Sequence, residues 1–274
     1  TARELAIRFR QVGEDPIAFF PEHPEMEAIA KRHFRSGRHD AMSLPPNEVI
    51  PRHNTPGLGG LITLAWAGLL CPGEPEAAYV SAYRADFRDQ GYAKEAVAML
   101  AACVSIAVRD DVEPLELVRR VSDLDPFKGI GQSGINAGWY IKRNLLPLCE
   151  RFVGVESDRA AAQELVRLLI GYGPMDAFKT FGIACAAMVA AEGDPFRAMQ
   201  IAVNHPGLDV RGVPNDDIYQ DIDCYGTVVG ALGGAMAGVE AYPAEMIEQV
   251  QASNKEVYGI DLEATIQKYL AKFA

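Results

Sequence analysis

The sequence is poor in most features that assign a chain quickly. It has no Cys-x-x-Cys pair, and its five cysteines (71, 103, 149, 185 and 224) are widely spaced and odd in number. That pattern argues against a disulfide framework and fits reduced thiols, with the cytoplasm as the default compartment. No run approaches 18 uncharged apolar residues; the longest, Leu61 to Cys71, stops at Pro72 and is too short to span a bilayer, so no membrane partner is expected. Neither a signal-type apolar segment nor a Met opens the chain, so we expect that something upstream of Thr1 has been removed. Basic charge is also in deficit, with 26 Lys and Arg against 37 Asp and Glu and a net charge of −11. Such a chain repels a phosphate backbone, and nucleic acid is not an expected partner.

Strand-like alternation is scarce as well. What remains is a chain of 274 residues, 49% apolar and 23% charged, the balance of a soluble globular protein and not of a disordered or fibrous one. Helical periodicity dominates it. Val97, Leu100, Ala101, Val104 and Val108 recur at spacings of three and four over 92–108; Phe178, Phe181, Cys185 and Met188 do so over 175–191. Leu262, Ile266, Tyr269, Leu270 and Phe273 mark a terminal helix. Glu113-Pro114, Asp194-Pro195 and Tyr242-Pro243 place proline where a first helical turn tolerates a missing N–H. These patterns predict one all-α domain over residues 1–274.

Two stretches break the pattern. Residues 36–60 and 204–223 are dense in Gly, Pro, Asn and Asp and read as long loops. Loops of that length inside a compact domain are often functional, so a site is expected where the two converge at one end. The more informative stretch ends in Asp221-Ile-Asp223-Cys224 and runs into a small-residue helix with glycines at 226, 230, 234 and 238. Two carboxylates one residue apart at a loop-to-helix junction can share a hard cation such as Mg²⁺, which takes oxygen ligands. The four-residue glycine spacing leaves one helical face without side chains, so a backbone or a ligand can approach it. The plainer reading is that Asp221 or Asp223 only caps the helix and complements its dipole.

The run DIDCYGTVVGALGGAMAG resembles the C-terminal metal motif of the ADP-ribosylglycohydrolase family, an Asp-x-Asp ahead of a small-residue helix. Residues 44–84 are similar to the central segment of that family, with Pro72-Gly73-Glu74-Pro75-Glu76-Ala77-Ala78 the nearest part, and the likeness extends over roughly 44–255. The resemblance implies an all-α, orthogonal multi-helix bundle of the ADP-ribosylglycohydrolase type. It also implies a metal-assisted hydrolase that cleaves a glycosidic bond of ADP-ribosyl or related nucleoside conjugates, using Mg²⁺ or Mn²⁺. On this sequence the metal ligands carry over to Asp221 and Asp223. The other half of the family's metal site, a Thr/Ser-Asp-Asp near the N-terminus, is not present: Asp110-Asp111 and Asp216-Asp217 stand in the wrong places along the chain. Cys224 stands where many members put a hydroxyl ligand, and a neutral thiol suits a hard cation poorly. Either the missing motif belongs to a removed segment or another chain, or this member keeps the fold as a non-catalytic binding or interaction protein.

Asn54, Gly57, Gly59 and Gly60 form a turn that can meet a ribose or phosphate through a side chain and backbone N–H groups, and we read them as substrate-binding. The alternative is a turn held by Asn and Gly alone. Asp216-Asp217-Ile-Tyr-Gln-Asp221 also resembles the DDxxxD signature of all-α isoprenoid synthases, which would place these carboxylates in mid-helix. The basic cluster Lys31, Arg32, His33, Arg35, Arg38 and His39 reads as a solvated helix face, His205 as a loop histidine, and Trp66 and Trp139 as core.

Overall fold

The computed structural model describes residues 57–86, 89, 91–127, 137–173, 175–204, 206–208, 214–219 and 221–271. Among the described residues eleven α-helices follow one another: α1 (Gly59–Leu64), α2 (Pro75–Ala85), α3 (Tyr92–Ala107), α4 (Pro114–Ser122), α5 (Ala137–Glu150), α6 (Asp158–Leu169), α7 (Ala177–Ala190), α8 (Pro195–Val203), α9 (Ile222–Ala237), α10 (Ala244–Tyr258) and α11 (Leu262–Leu270). A 3₁₀ helix, Ala65–Leu70, continues α1, and a short one, Val239–Ala241, follows α9. The architecture is all-α, as the periodicity predicts.

One detail differs from the sequence reading. Part of 204–223 is an antiparallel ribbon, β1 (Pro206–Leu208) with β2 (Pro214–Tyr219), whose register shifts between Pro206 and Gly207. Three- and six-residue strands with proline at their starts give no apolar alternation to read. The expected loop 36–60 also ends early, because Gly59 and Gly60 already belong to α1; its residues 36–56 lie outside the described residues.

Two helices carry the core. Every residue of α3 from Ala93 to Ala107 is buried, and so is every residue of α7. A helix apolar on all sides is one packed on all sides, and alanines let the neighbours come close. The 3₁₀ helix crosses α3 at backbone distance: a Cβ on Gly68 would stand 2.3 Å from the carbonyl oxygen of Ala101. Around this pair the outer helices are amphipathic. On α4, Leu117, Val118 and Val121 face in while Glu116 and Arg119 pair on the solvent side at 2.6 Å. Side-chain caps fix several starts: Ser157 accepts from Ala160 N, Asp176 from Phe178 N and Lys179 N, and Asp194 from Phe196 N and Arg197 N. Buried Ser105 ties down the Pro72-Gly73 turn, with its carbonyl accepting from Gly73 N, its Oγ accepting from Glu74 N, and its hydroxyl donating to the Cys71 carbonyl.

The C-terminal helices behave differently. Neither α10 nor α11 has a buried residue, and Ile266 and Leu270 of the expected apolar stripe are 56% and 51% exposed. The stripe is real as a helix but does not enter the core. Trp66, read as core, is 42% exposed; the side chain of Trp139 lies outside the described residues.

Candidate metal centre

The ribbon delivers the chain to Asp221 in a left-handed conformation, φ 56° and ψ 27°. For a residue with a Cβ this costs about 1 kcal/mol or more. The backbone carbonyl of Asp221 starts α9 by accepting from Cys224 N and Tyr225 N, both at 3.1 Å. Its side chain makes no capping hydrogen bond. The Asp221 side chain therefore does not cap the helix, and the capping part of the plainer reading fails for it. Asp223 lies in the first turn of α9 and is exposed. Ligand-capable atoms of Asp221, Asp223 and Cys224 all lie within 4.8 Å of one another, above a helix N-terminus whose dipole favours negative charge.

The electrostatics of the cluster follow from burial. Desolvation raises the Asp221 carboxyl above its usual range, Asp223 adds to the rise, and the Cys224 thiol and Lys179 oppose it. Asp221 Oδ2 is buried and has no hydrogen-bond partner among the described residues. Burial, together with hydrogen bonds to both carboxylates, pushes Cys224 up to about 12. Cys224 thus stays a thiol and donates to the aspartates. Lys179 is 3% exposed; burial lowers its pKa, while the charges of Asp176 and Asp221 hold it up.

Beside the cluster stands a wall that no sequence spacing announced. Asp176, besides capping α7, accepts from the Tyr92 hydroxyl at 2.5 Å. Tyr92 stacks on Tyr140 with centroids 4.9 Å apart, the Tyr140 and Tyr172 hydroxyls hydrogen-bond, and Phe178 meets both rings. Tyr225, fully buried in α9, titrates above its ordinary range through burial first and then the charges of Asp221, Cys224 and Asp176. Asp176, Asp221, Lys179 and Tyr225 form one electrostatic neighbourhood drawn from α7, α9 and the end of the ribbon. The one local signal was an Asp before the buried run of α7; nothing in the chain links 92, 140 and 176.

The Gly57–Gly60 turn has its own constraints. Gly60 N donates to buried Asp89 at 2.6 Å. A Cβ on Gly60 would stand 2.6 Å from Val97 Cγ2 and 2.7 Å from Asp86 Oδ2. The same two aspartates face Lys94, whose ammonium lies 4.8 Å from the Tyr83 ring centroid. Helix α1 also packs against α9. Asn54 lies outside the described residues, as do His205 and the basic cluster of 31–39.

Two further expectations change. Asp216 and Asp217 lie on β2 and not in mid-helix, which removes the isoprenoid-synthase reading. The glycine face of α9 is used by protein and only in part as spaced: Gly226 and Gly230 meet Val203 and Met199 of α8, and the tightest contact is at Gly233, whose Cβ would stand 2.5 Å from Pro195 Cβ. Gly234 faces open space, and Gly238, at φ 77°, ends the helix.

Comparison with known proteins gives a match to the family model described as ADP-ribosylglycohydrolase over residues 8–273, wider than the 44–255 suggested by the motifs. No curated protein and no solved structure matched the chain. No helix among the described residues is long and apolar enough to cross a membrane. With an all-α core, an Asp-x-Asp opening a small-residue helix and a family match over almost its whole length, the chain belongs to the ADP-ribosylglycohydrolase family.

Proposed function

We propose that this chain hydrolyses a glycosidic bond of an ADP-ribosyl or related nucleoside conjugate with the help of one divalent cation, Mg²⁺ or Mn²⁺, held by Asp221 and Asp223. The observation that carries the reading is Asp221 itself: left-handed, uncapping, with a buried oxygen that has no partner among the described residues. Strain kept at a charged, under-satisfied residue is a mark of a functional position. The donor set suits a hard cation through its two carboxylates, and Mg²⁺ completes its shell with waters. Cys224 does not suit it, being a protonated soft donor. When bound, the ion orients the ribose and polarises the scissile bond.

The chain's own residues do the rest. The Cys224 thiol donates to both aspartates and orients them. Lys179 places positive charge near Asp221 and Asp176, which limits repulsion among the carboxylates. We assign Asn54, Gly57, Gly59 and Gly60 to the substrate; because Gly60 N–H is taken by Asp89, backbone recognition there falls to Gly57 and Gly59. With half the family's ligand set absent from the sequence, we expect weak binding of a single ion and a full two-metal site only with a Thr/Ser-Asp-Asp segment supplied from elsewhere. The free cysteines suit the reducing cytoplasm.

The test is release of ADP-ribose from ADP-ribosylated Arg and Ser peptides and nucleotide conjugates in Mg²⁺ or Mn²⁺. Turnover that is lost in the Asp221→Asn, Asp223→Asn double variant supports the proposal, and no release from any conjugate refutes the enzyme. Cys224 in a hydroxyl position and Lys179 beside Asp221 favour one second reading, a non-catalytic ADP-ribose-binding member. Tight ADP-ribose binding without turnover would select it.

A further inference from the structure

A second site lies away from the carboxylates. Between the 3₁₀ helix and the C-terminal helix α11 is an open cavity of about 1000 Å³, at the upper end of the roughly 300–1,000 Å³ typical of small-molecule pockets. Trp66, Leu69, Pro72 and Val108 line one side, and Ile266, Tyr269 and Leu270 the other. Trp66, Leu69, Ile266 and Leu270 are each more than a third exposed, so apolar surface on both sides is left for an occupant to cover. No residue of the metal cluster lines it.

Among the described residues the lining carries one charge, Arg109. Its neighbour Asp110 is turned away and paired with Arg120 at 2.7 Å, and among the described residues Arg109 has no ion pair. The arginine stem is seated: a Cβ on Gly73 would meet Arg109 Cγ at 3.3 Å and Nε at 3.8 Å, and the Gly73 turn is itself held by Ser105. A lone guanidinium positioned over an apolar cleft, in a chain of net charge −11, is a local exception to the charge of the molecule. We infer that this cleft binds an amphipathic organic anion, an apolar chain or ring system ending in a single carboxylate, with the apolar body between Trp66 and α11 and the head group on Arg109. One cation matches one carboxylate, whereas the larger charge of a diphosphate calls for more than the one cation that the described residues place here.

Dodecanoate is the probe, titrated below its micellar concentration into the full chain by calorimetry and by tryptophan fluorescence. One saturable site per chain is expected, with an emission change that Trp66→Phe removes. Arg109→Ala should weaken dodecanoate at least about tenfold, as expected for a lost charge-assisted hydrogen bond, and leave 1-dodecanol unchanged. Arg109→Glu should transfer the preference to dodecyltrimethylammonium, a gain that an unfolded variant cannot give. Three results overturn the inference: no saturable binding, with the cleft covered by a second copy or by another part of this chain; equal affinity for dodecanoate and 1-dodecanol; or an unchanged dodecanoate affinity in Arg109→Ala.

Discussion

Glu95 is a carboxylic acid buried in the core without a hydrogen-bond partner among the described residues, and replacing it by Gln should stabilise the protein in a pH-dependent way. The residue sits in α3 with 0% exposure, and neither carboxyl oxygen has a hydrogen-bond partner among the described residues. Burial raises its pKa to about 7 from the ordinary 4.5; Lys142 opposes the rise and Asp125 adds to it. Below about 4.5 the carboxyl is protonated in the folded and unfolded chains alike, and folding is indifferent to pH through this group. Between 4.5 and about 7 the folded protein keeps a proton that the unfolded chain has released, so stability falls as pH rises, and above about 7 the loss is complete. A gap of about 2.5 pH units at about 1.36 kcal/mol each amounts to about 3 kcal/mol. Glu95→Gln keeps the shape and cannot ionise. Urea unfolding of both proteins from pH 5 to pH 8.5 should give curves close together at the acid end that diverge until the variant is about 3 kcal/mol more stable. Parallel curves would refute the reasoning. A variant less stable throughout would show that ionised Glu95 is paired, with Lys142 as the available cation.

Asp221→Gly should raise stability by about 1 kcal/mol, because glycine adopts the left-handed conformation without the Cβ penalty, while the thermal shift given by Mn²⁺ disappears; a less stable variant would show that the side chain supports the fold. Gly68→Ala should cost about 3 kcal/mol, since the new Cβ would stand 2.3 Å from the Ala101 carbonyl oxygen and 2.7 Å from Val104 Cβ; an unchanged melting temperature would contradict the backbone crossing. Asp176→Ala should cost about 2–3 kcal/mol, combining the lost cap of α7 with a Tyr92 hydroxyl left without its acceptor, and Asp176→Asn, which can still cap, should cost less. Chemical denaturation of the pair measures the difference.

The sequence was a reliable guide where a local rule acted alone. The stripes over 92–108 and 175–191 became α3 and α7, and proline after Glu113 and Asp194 stands at the first turns of α4 and α8, because periodicity and the fixed φ of proline operate within a few residues. The Asp-x-Asp pair was also legible, since both carboxylates lie within three positions of one junction. One apolar stripe misled. The stripe of α11 has the right spacing but leaves Ile266 and Leu270 exposed, because amphipathicity says that a face is apolar and not what covers it. For Asp221 the sequence left capping open as the plainer alternative, and only the structure shows that its side chain makes no capping hydrogen bond. The sequence by itself determined the helical class, several helix starts and the Asp-x-Asp pair at the start of α9. Tertiary structure alone decided that Asp176 meets Tyr92 across 84 positions, that Lys179 stands beside Asp221, and that Arg109 is the one charge that the described residues bring to an apolar cleft. Such pairings depend on how separate helices pack against one another, and no spacing along the chain encodes that distance.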